Sequence, residues 1–159
     1  MVVALAWTTD GTRLASGSWG HESDQLLIWD TQSWKRIRAL DDPNELVFGV
    51  AWSADGERLV SAGSDGILRW WNPHTGQCLL SRQGHEGPVQ SLRASPDGRL
   101  LASCGDDGAI QIWEMDTGEH VTTLRRDRPY ERLNITGIKG LTDAQKLTLK
   151  MMGAIELDN

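Results

Sequence analysis

The sequence predicts an all-β chain: three four-stranded blades of a partial β-propeller, followed by a short C-terminal helix. Three observations carry this reading. Trp29, Trp71 and Trp113 recur 42 residues apart, each closing a short apolar run and each followed by a polar residue, Asp30, Asn72 or Glu114. An Asp-Gly pair lies upstream of each, at Asp10-Gly11, Asp55-Gly56 and Asp97-Gly98. After each pair comes a run of small residues: Leu14-Ala15-Ser16-Gly17-Ser18, Leu59-Val60-Ser61-Ala62-Gly63 and Leu101-Ala102-Ser103-Cys104-Gly105. A repeated position also explains why the 159 residues hold eight Trp against one Tyr and one Phe.

The three units cover about 2–40, 46–82 and 88–125. In each, an apolar strand (2–7, 46–52, 88–94) runs into the Asp-Gly turn, where glycine supplies the positive φ of a tight hairpin. Ser95-Pro96-Asp97-Gly98 has the pattern of a type I turn, with proline preset at the first central position. The small-residue strand follows (13–18, 58–63, 99–104), and its short side chains permit close sheet-to-sheet approach. The Trp-ending strand comes third. A more polar outer strand comes last (34–40, 77–82, 119–125), entered through turns such as Asn72-Pro73-His74-Thr75-Gly76. The first unit is three residues longer, and the surplus falls in Trp19–Asp24, where a turn tolerates insertion.

Residues 126–159 break the period. A charged, proline-interrupted stretch to Arg132 reads as a wrap. A helix is then expected over about 142–152, with Thr142 as N-cap, Gln145 completing a capping box and Asp143 favoured by the helix dipole. Ala144, Leu147, Met151 and Met152 form its apolar stripe and Gly153 its stop. The stripe is expected either to dock on the last blade or to serve as a helical ligand for another chain.

Composition excludes several functions. With 22 acidic against 16 basic residues and a net charge of −6, the chain lacks the clustered cations that nucleic-acid binding needs. No apolar run approaches the ~18–20 residues of a membrane span, and no charged-then-apolar leader opens the sequence. Cys78 and Cys104 form no CxxC pair, which fits a reducing, cytoplasmic setting. No phosphate loop or dinucleotide fingerprint occurs, so no cofactor is expected. His21, His74, His85 and His120 lack ligand spacing, so no metal is expected either.

The repeats resemble the WD-repeat family of β-propellers over about 2–125. The third unit fits best, with Gly84-His85 ahead of its first strand and Asp107 six residues before Trp113. The second keeps Ser61, Asp65 and Trp71 but has Asp41-Asp42-Pro43 in place of Gly-His; the first keeps Ser16 and Trp29. The resemblance implies a buried network of Asp107, His85, Ser103 and Trp113, in which Asp107 orients the imidazole and Ser103 accepts from the indole. The same Ser, His and Asp invite a hydrolase reading. A nucleophile, however, needs exposure and a strained elbow such as GxSxG, whereas Ser103 lies inside a strand. Catalysis is therefore the remote alternative. The tail from Asp127 onward is similar to the end of large bacterial WD-repeat proteins of the STAND class, signalling ATPases with an NB-ARC or NACHT switch. That similarity implies a position at the end of a longer, bacterial architecture.

The expected function is a non-catalytic scaffold or ligand-sensing module for a protein or peptide, the sensor end of such an ATPase. Trp19 and His21 in the lengthened turn, with Trp34 and Arg36 near the outer strand, are the candidate contact residues. Three blades make only an arc, and Val3, Leu5 and Trp7 fall on an end face that a closed ring would cover. Further blades upstream, or self-association of two arcs, are the expected ways to cover it.

Overall fold

The computed structural model describes residues 1–19, 25–43, 46–125, 130 and 133–156. Among these, twelve strands form three four-stranded sheets. Blade 1 holds β1 (Val2–Trp7), β2 (Arg13–Ser18), β3 (Leu26–Asp30) and β4 (Arg36–Leu40). Blade 2 holds β5 (Val47–Trp52), β6 (Leu59–Gly63), β7 (Ile67–Trp71) and β8 (Cys78–Gln83). Blade 3 holds β9 (Val89–Ala94), β10 (Leu100–Gly105), β11 (Ala109–Glu114) and β12 (His120–Arg125). Each strand pairs with its neighbours in sequence order, so every blade is a meander. One helix, α1 (Asp143–Met151), comes after the blades. The chain divides into two compact units, Met1–Leu124 and Arg125–Asn159.

The Asp-Gly hairpins share one local mechanism. Gly11, Gly56 and Gly98 all sit at φ 70, a region costly for any residue with a Cβ. The preceding carboxylates hold the turn closed: Asp10, Asp55 and Asp97 accept from the hydroxyls of Thr8, Ser53 and Ser95 and from the N–H two residues on. Those hydroxyl bonds lower all three carboxyl pKa values, that of Asp10 from 3.8 to about 2. A carboxyl that titrates lower when folded adds stability that is complete above its unfolded value and lost as pH falls through its folded value. Denaturant midpoints at stepped pH are therefore expected to show a loss between pH 3.8 and about 2 that Asp10→Asn makes smaller. An unchanged acid limb in that variant would refute the turn's role.

The core lies at the seams between blades. Leu26, Ile28, Val47, Val50 and Trp52 fill the seam of blades 1 and 2; Trp70, Leu92, Leu101, Trp113 and Met115 fill that of blades 2 and 3. Blade 2 is covered on both sides, so β6 is buried throughout, whereas β12 is exposed along its whole length. Small residues make the close approach possible. A Cβ at Gly17 of blade 1 would lie 2.8 Å from Val47 of blade 2, and one at Gly49 of blade 2 would lie 2.9 Å from Leu92 of blade 3.

In the second unit, Thr142 and Gln145 form the expected capping box, and Met152 caps the C-terminus of α1 ahead of Gly153, whose φ is 105. Glu156 clamps the helix through Lys146 at 2.8 Å and Lys150 at 2.6 Å, and these bonds hold its carboxyl at about 2. Leu147 is 61% and Met151 72% exposed, and no residue of α1 is buried. The helix is instead positioned by the Glu156 clamp and by a bridge between Asn134 and Ile155, next to buried Ile135 and Ala154. Residues 126–129 and 131–132, the greater part of the expected wrap, lie outside the described residues.

Candidate functional site

Blade 3 assembles its four polar residues into one chain of hydrogen bonds. The Trp113 indole N–H donates to Ser103 Oγ at 3.0 Å, and Ser103 lies 2.8 Å from His85 Nε2. His85 Nδ1 lies 3.0 Å from the Asp107 carboxylate, which only accepts when ionised, so the ring proton sits on Nδ1. Burial would raise the Asp107 carboxyl; the bonds from His85 and from the Ala109 N–H more than offset this, and it titrates below its ordinary range. The tie is also long-range in sequence. His85 lies ahead of β9, Ser103 on β10 and Trp113 on β11, so the network fastens the blade's entry to its interior strands.

This arrangement does not suit nucleophilic catalysis. Ser103 is 1% and His85 2% exposed, which leaves no path for a substrate to the hydroxyl. A buried network with every member paired rigidifies a core. Among the described residues, no group of three or more His, Cys, Asp or Glu side chains could hold a metal ion.

The other blades carry reduced or altered versions. In blade 1, Trp29 Nε1 donates to Ser16 Oγ at 2.9 Å. In blade 2, Trp71 Nε1 donates to Ser61 Oγ at 2.9 Å, but the partners beyond Ser61 differ from the sequence expectation. Asp65 does not face an imidazole; it holds Arg69 at 2.6 Å. Ser61 donates instead to Asp42, whose side chain is fully buried and lies 3.6 Å from Arg69 Nη1. The pair of Asp42 and Arg69 thus fills the space that the imidazole fills in blade 3. In the sequence, Asp41-Asp42-Pro43 stands out only as a missing Gly-His, and Arg69 only as one residue of an apolar strand. The available signal was an arginine at an inward position beside an acid where a histidine was expected.

The candidate contact residues are dispersed. Trp19 is 52% exposed and bridges to Leu46; His21 lies outside the described residues. Trp34 is 65% exposed and precedes β4 rather than forming part of it, and Arg36 opens that strand at an exposed position. Trp34 packs edge-on against Trp7, with ring centres 6.4 Å apart. Neither the sequence pattern nor the repeat foretold that pairing. Val3, Leu5 and Trp7, the end face of the arc, are 39%, 58% and 53% exposed. A cleft of about 380 Å³ opens beside them, along the ends of the three inner strands, lined by Trp7, Val50, Trp52, Leu92, Arg93 and Pro96.

The sequence matches the family described as "WD domain, G-beta repeat" twice, at 34–72 and at 76–114. The chain belongs to the WD40-repeat family. Each matched WD40 repeat starts ahead of one blade's outer strand and ends at or beside the Trp of the next blade, so sequence repeat and structural blade are out of phase by one strand. WD repeat-containing protein VIP3 of Arabidopsis thaliana is 33% identical over 108 residues, covering 60% of this chain and 33% of that protein. A chromatin assembly factor 1 subunit of Mus musculus is 29% identical over 98 residues, covering 58% of this chain and 17% of that protein. The chain therefore spans a third or less of these relatives' lengths. The crystal structure of the RRP9 WD40 repeats superposes with a TM-score of 0.70 at 22% identity, over 79% of this chain and 39% of that one. At that identity the likeness shows the fold.

Proposed function

We propose that the chain is a non-catalytic, cytoplasmic protein-binding scaffold, three consecutive WD40 blades in a ring that further blades complete. One observation carries this reading: the Ser, His and Asp that could form a catalytic triad are sealed in the blade-3 network, while apolar side chains away from the blade-1 end face, such as Trp19, Ile110 and Val121, are exposed. Such a surface is suited to a macromolecular contact. That one relative is named as part of chromatin assembly factor 1 fits work inside a multi-protein assembly. The two relatives named above are from a plant and a mouse, and the position at the end of a bacterial signalling ATPase rests on the tail's resemblance alone. The reading frame upstream tests that finer placing: a phosphate-binding loop followed by more repeats supports it, and a stop codon removes it.

The purified chain is expected to hydrolyse esters, peptides and nucleotides no faster than buffer does. Ser103→Ala is expected to lower stability by about 1–3 kcal/mol, because it leaves the buried Trp113 indole N–H and His85 Nε2 without their partner. Any turnover that Ser103→Ala abolishes in a chain that remains folded overturns the scaffold reading.

A further inference from the structure

The free face of blade 1 carries more information than an apolar patch does. Backbone bonds identify equivalent positions in the blades. Trp7 and Trp52 end their inner strands opposite Leu14 and Leu59. Arg13 and Arg58 accept, through their carbonyls, the N–H of Thr8 and Ser53; in blade 3 Leu100 takes this place. Trp34, Gly76 and Gly118 occupy one turn position, each just before the residue whose carbonyl bonds back to Asp30, Asn72 or Glu114. All three have positive φ: 54, 81 and 62.

These equivalences show what a tryptophan at the seam requires. Trp52 is 4% exposed; its Nε1 donates to the Ala6 carbonyl at 3.0 Å, and the Arg13 guanidinium lies 5.1 Å from its ring centre. Arg13 also donates to the Gly56 carbonyl at 3.0 Å, which locks the two blades. Trp7 holds the same position on blade 1 with its ring half in solvent. At the rim, the glycines admit the preceding blade. A Cβ at Gly76 would lie 3.2 Å from Arg38 Cδ, and one at Gly118 would lie 3.0 Å from Leu80. Trp34 puts a whole indole at this point, in a backbone region that bulky residues rarely adopt.

We infer that the free face of blade 1 seats a further WD40 blade with a defined signature. The inference rests on the reading of a ring completed by further blades. The blade carries an arginine two residues after its Asp-Gly turn, to cover Trp7 as Arg13 covers Trp52. It carries Gly or Ala on its outer strand where blades 1 and 2 have Arg38 and Leu80, to admit Trp34. Blade 3 of a second copy does not fit, because Leu100 stands in place of the arginine and the 42-residue period puts Thr122 in place of the small residue. The source is an extension of the same polypeptide ahead of β1, joined by a link as short as 41–46, which joins blades 1 and 2.

Fusion of an extra copy of blade 1 ahead of the full chain, through the 41–46 link, tests this. One copy carries Arg38→Gly, a second is unchanged, and a third carries Arg38→Gly with Arg13→Leu. Exchange of the Trp7 indole N–H, followed by NMR, is expected to slow about tenfold or more in the first fusion relative to the unfused chain, and by less in the other two. Equal protection in all three overturns the signature and leaves the ring reading standing. No protection in any of them overturns the ring reading as well. Protection that rises with concentration in the unfused chain assigns the face to a second copy and overturns the inference.

Discussion

Asp42→Ala is expected to destabilise the chain by about 3–5 kcal/mol, the cost of removing one partner of a buried ion pair. The substitution takes away the carboxylate that receives Ser61 and faces Arg69 from 3.6 Å, and leaves a guanidinium whose side chain is 10% exposed in the interior of blade 2. Asp65 still holds Arg69, but from the outer side, with a side chain 32% exposed. The double variant Asp42→Ala, Arg69→Met is expected to regain much of the loss, since it also removes the guanidinium that has lost its buried partner. Urea midpoints of the wild type, both singles and the double would resolve the coupling. A single-variant loss of less than about 1 kcal/mol, the range of an exposed pair, would refute the assignment of this pair to the blade's interior network.

Trp70→Ala is expected to cost about 3–5 kcal/mol, as for other fully buried tryptophans. The side chain is completely buried and belongs to two blades at once. It grows from β7, donates its indole N–H to the Met115 carbonyl of blade 3 at 2.8 Å, and meets Trp113 edge-on at 6.3 Å. Trp70→Phe keeps most of the apolar volume and removes the donor, so about 1–3 kcal/mol is expected for the orphaned carbonyl. Amide exchange should place the damage: protection is expected to fall on both sides of the seam, in β9 and β10 as well as β7. Loss confined to blade 2 would show that the residue does not couple the blades.

The parts of the fold that were legible in the sequence are those whose causes lie close together in the chain. The hairpins follow from Asp-Gly with a hydroxyl two residues earlier, and the helix start from Thr142 and Gln145, all within a few residues. Blade 3's network was also legible, although it spans 28 residues from His85 to Trp113, because its residue types match a recurring family pattern. The orientation of α1 was not. Its spacing allows a stripe that docks on a blade or one that serves another chain, and the exposure of Leu147 and Met151 does not follow from spacing; nor does the reach of Lys146 and Lys150 to Glu156 beyond the helix end.

The sequence by itself determined the period, the strand content, the turn chemistry and the buried polar residues of the best-matching blade. It did so because a repeat states the same local problem three times, and each solution uses neighbours in the chain. Tertiary structure alone decided how blade 2 replaces its missing histidine, which tryptophans are seam donors and why Trp34 meets Trp7. Asp42 and Arg69 are 27 residues apart, and Trp52 finds the Ala6 carbonyl 46 residues back, on another sheet. Trp7 and Trp52 look identical in the repeat. One is half in solvent and the other 4% exposed because only one has a neighbouring blade to supply a carbonyl and a guanidinium, and burial is a property of what packs against a residue.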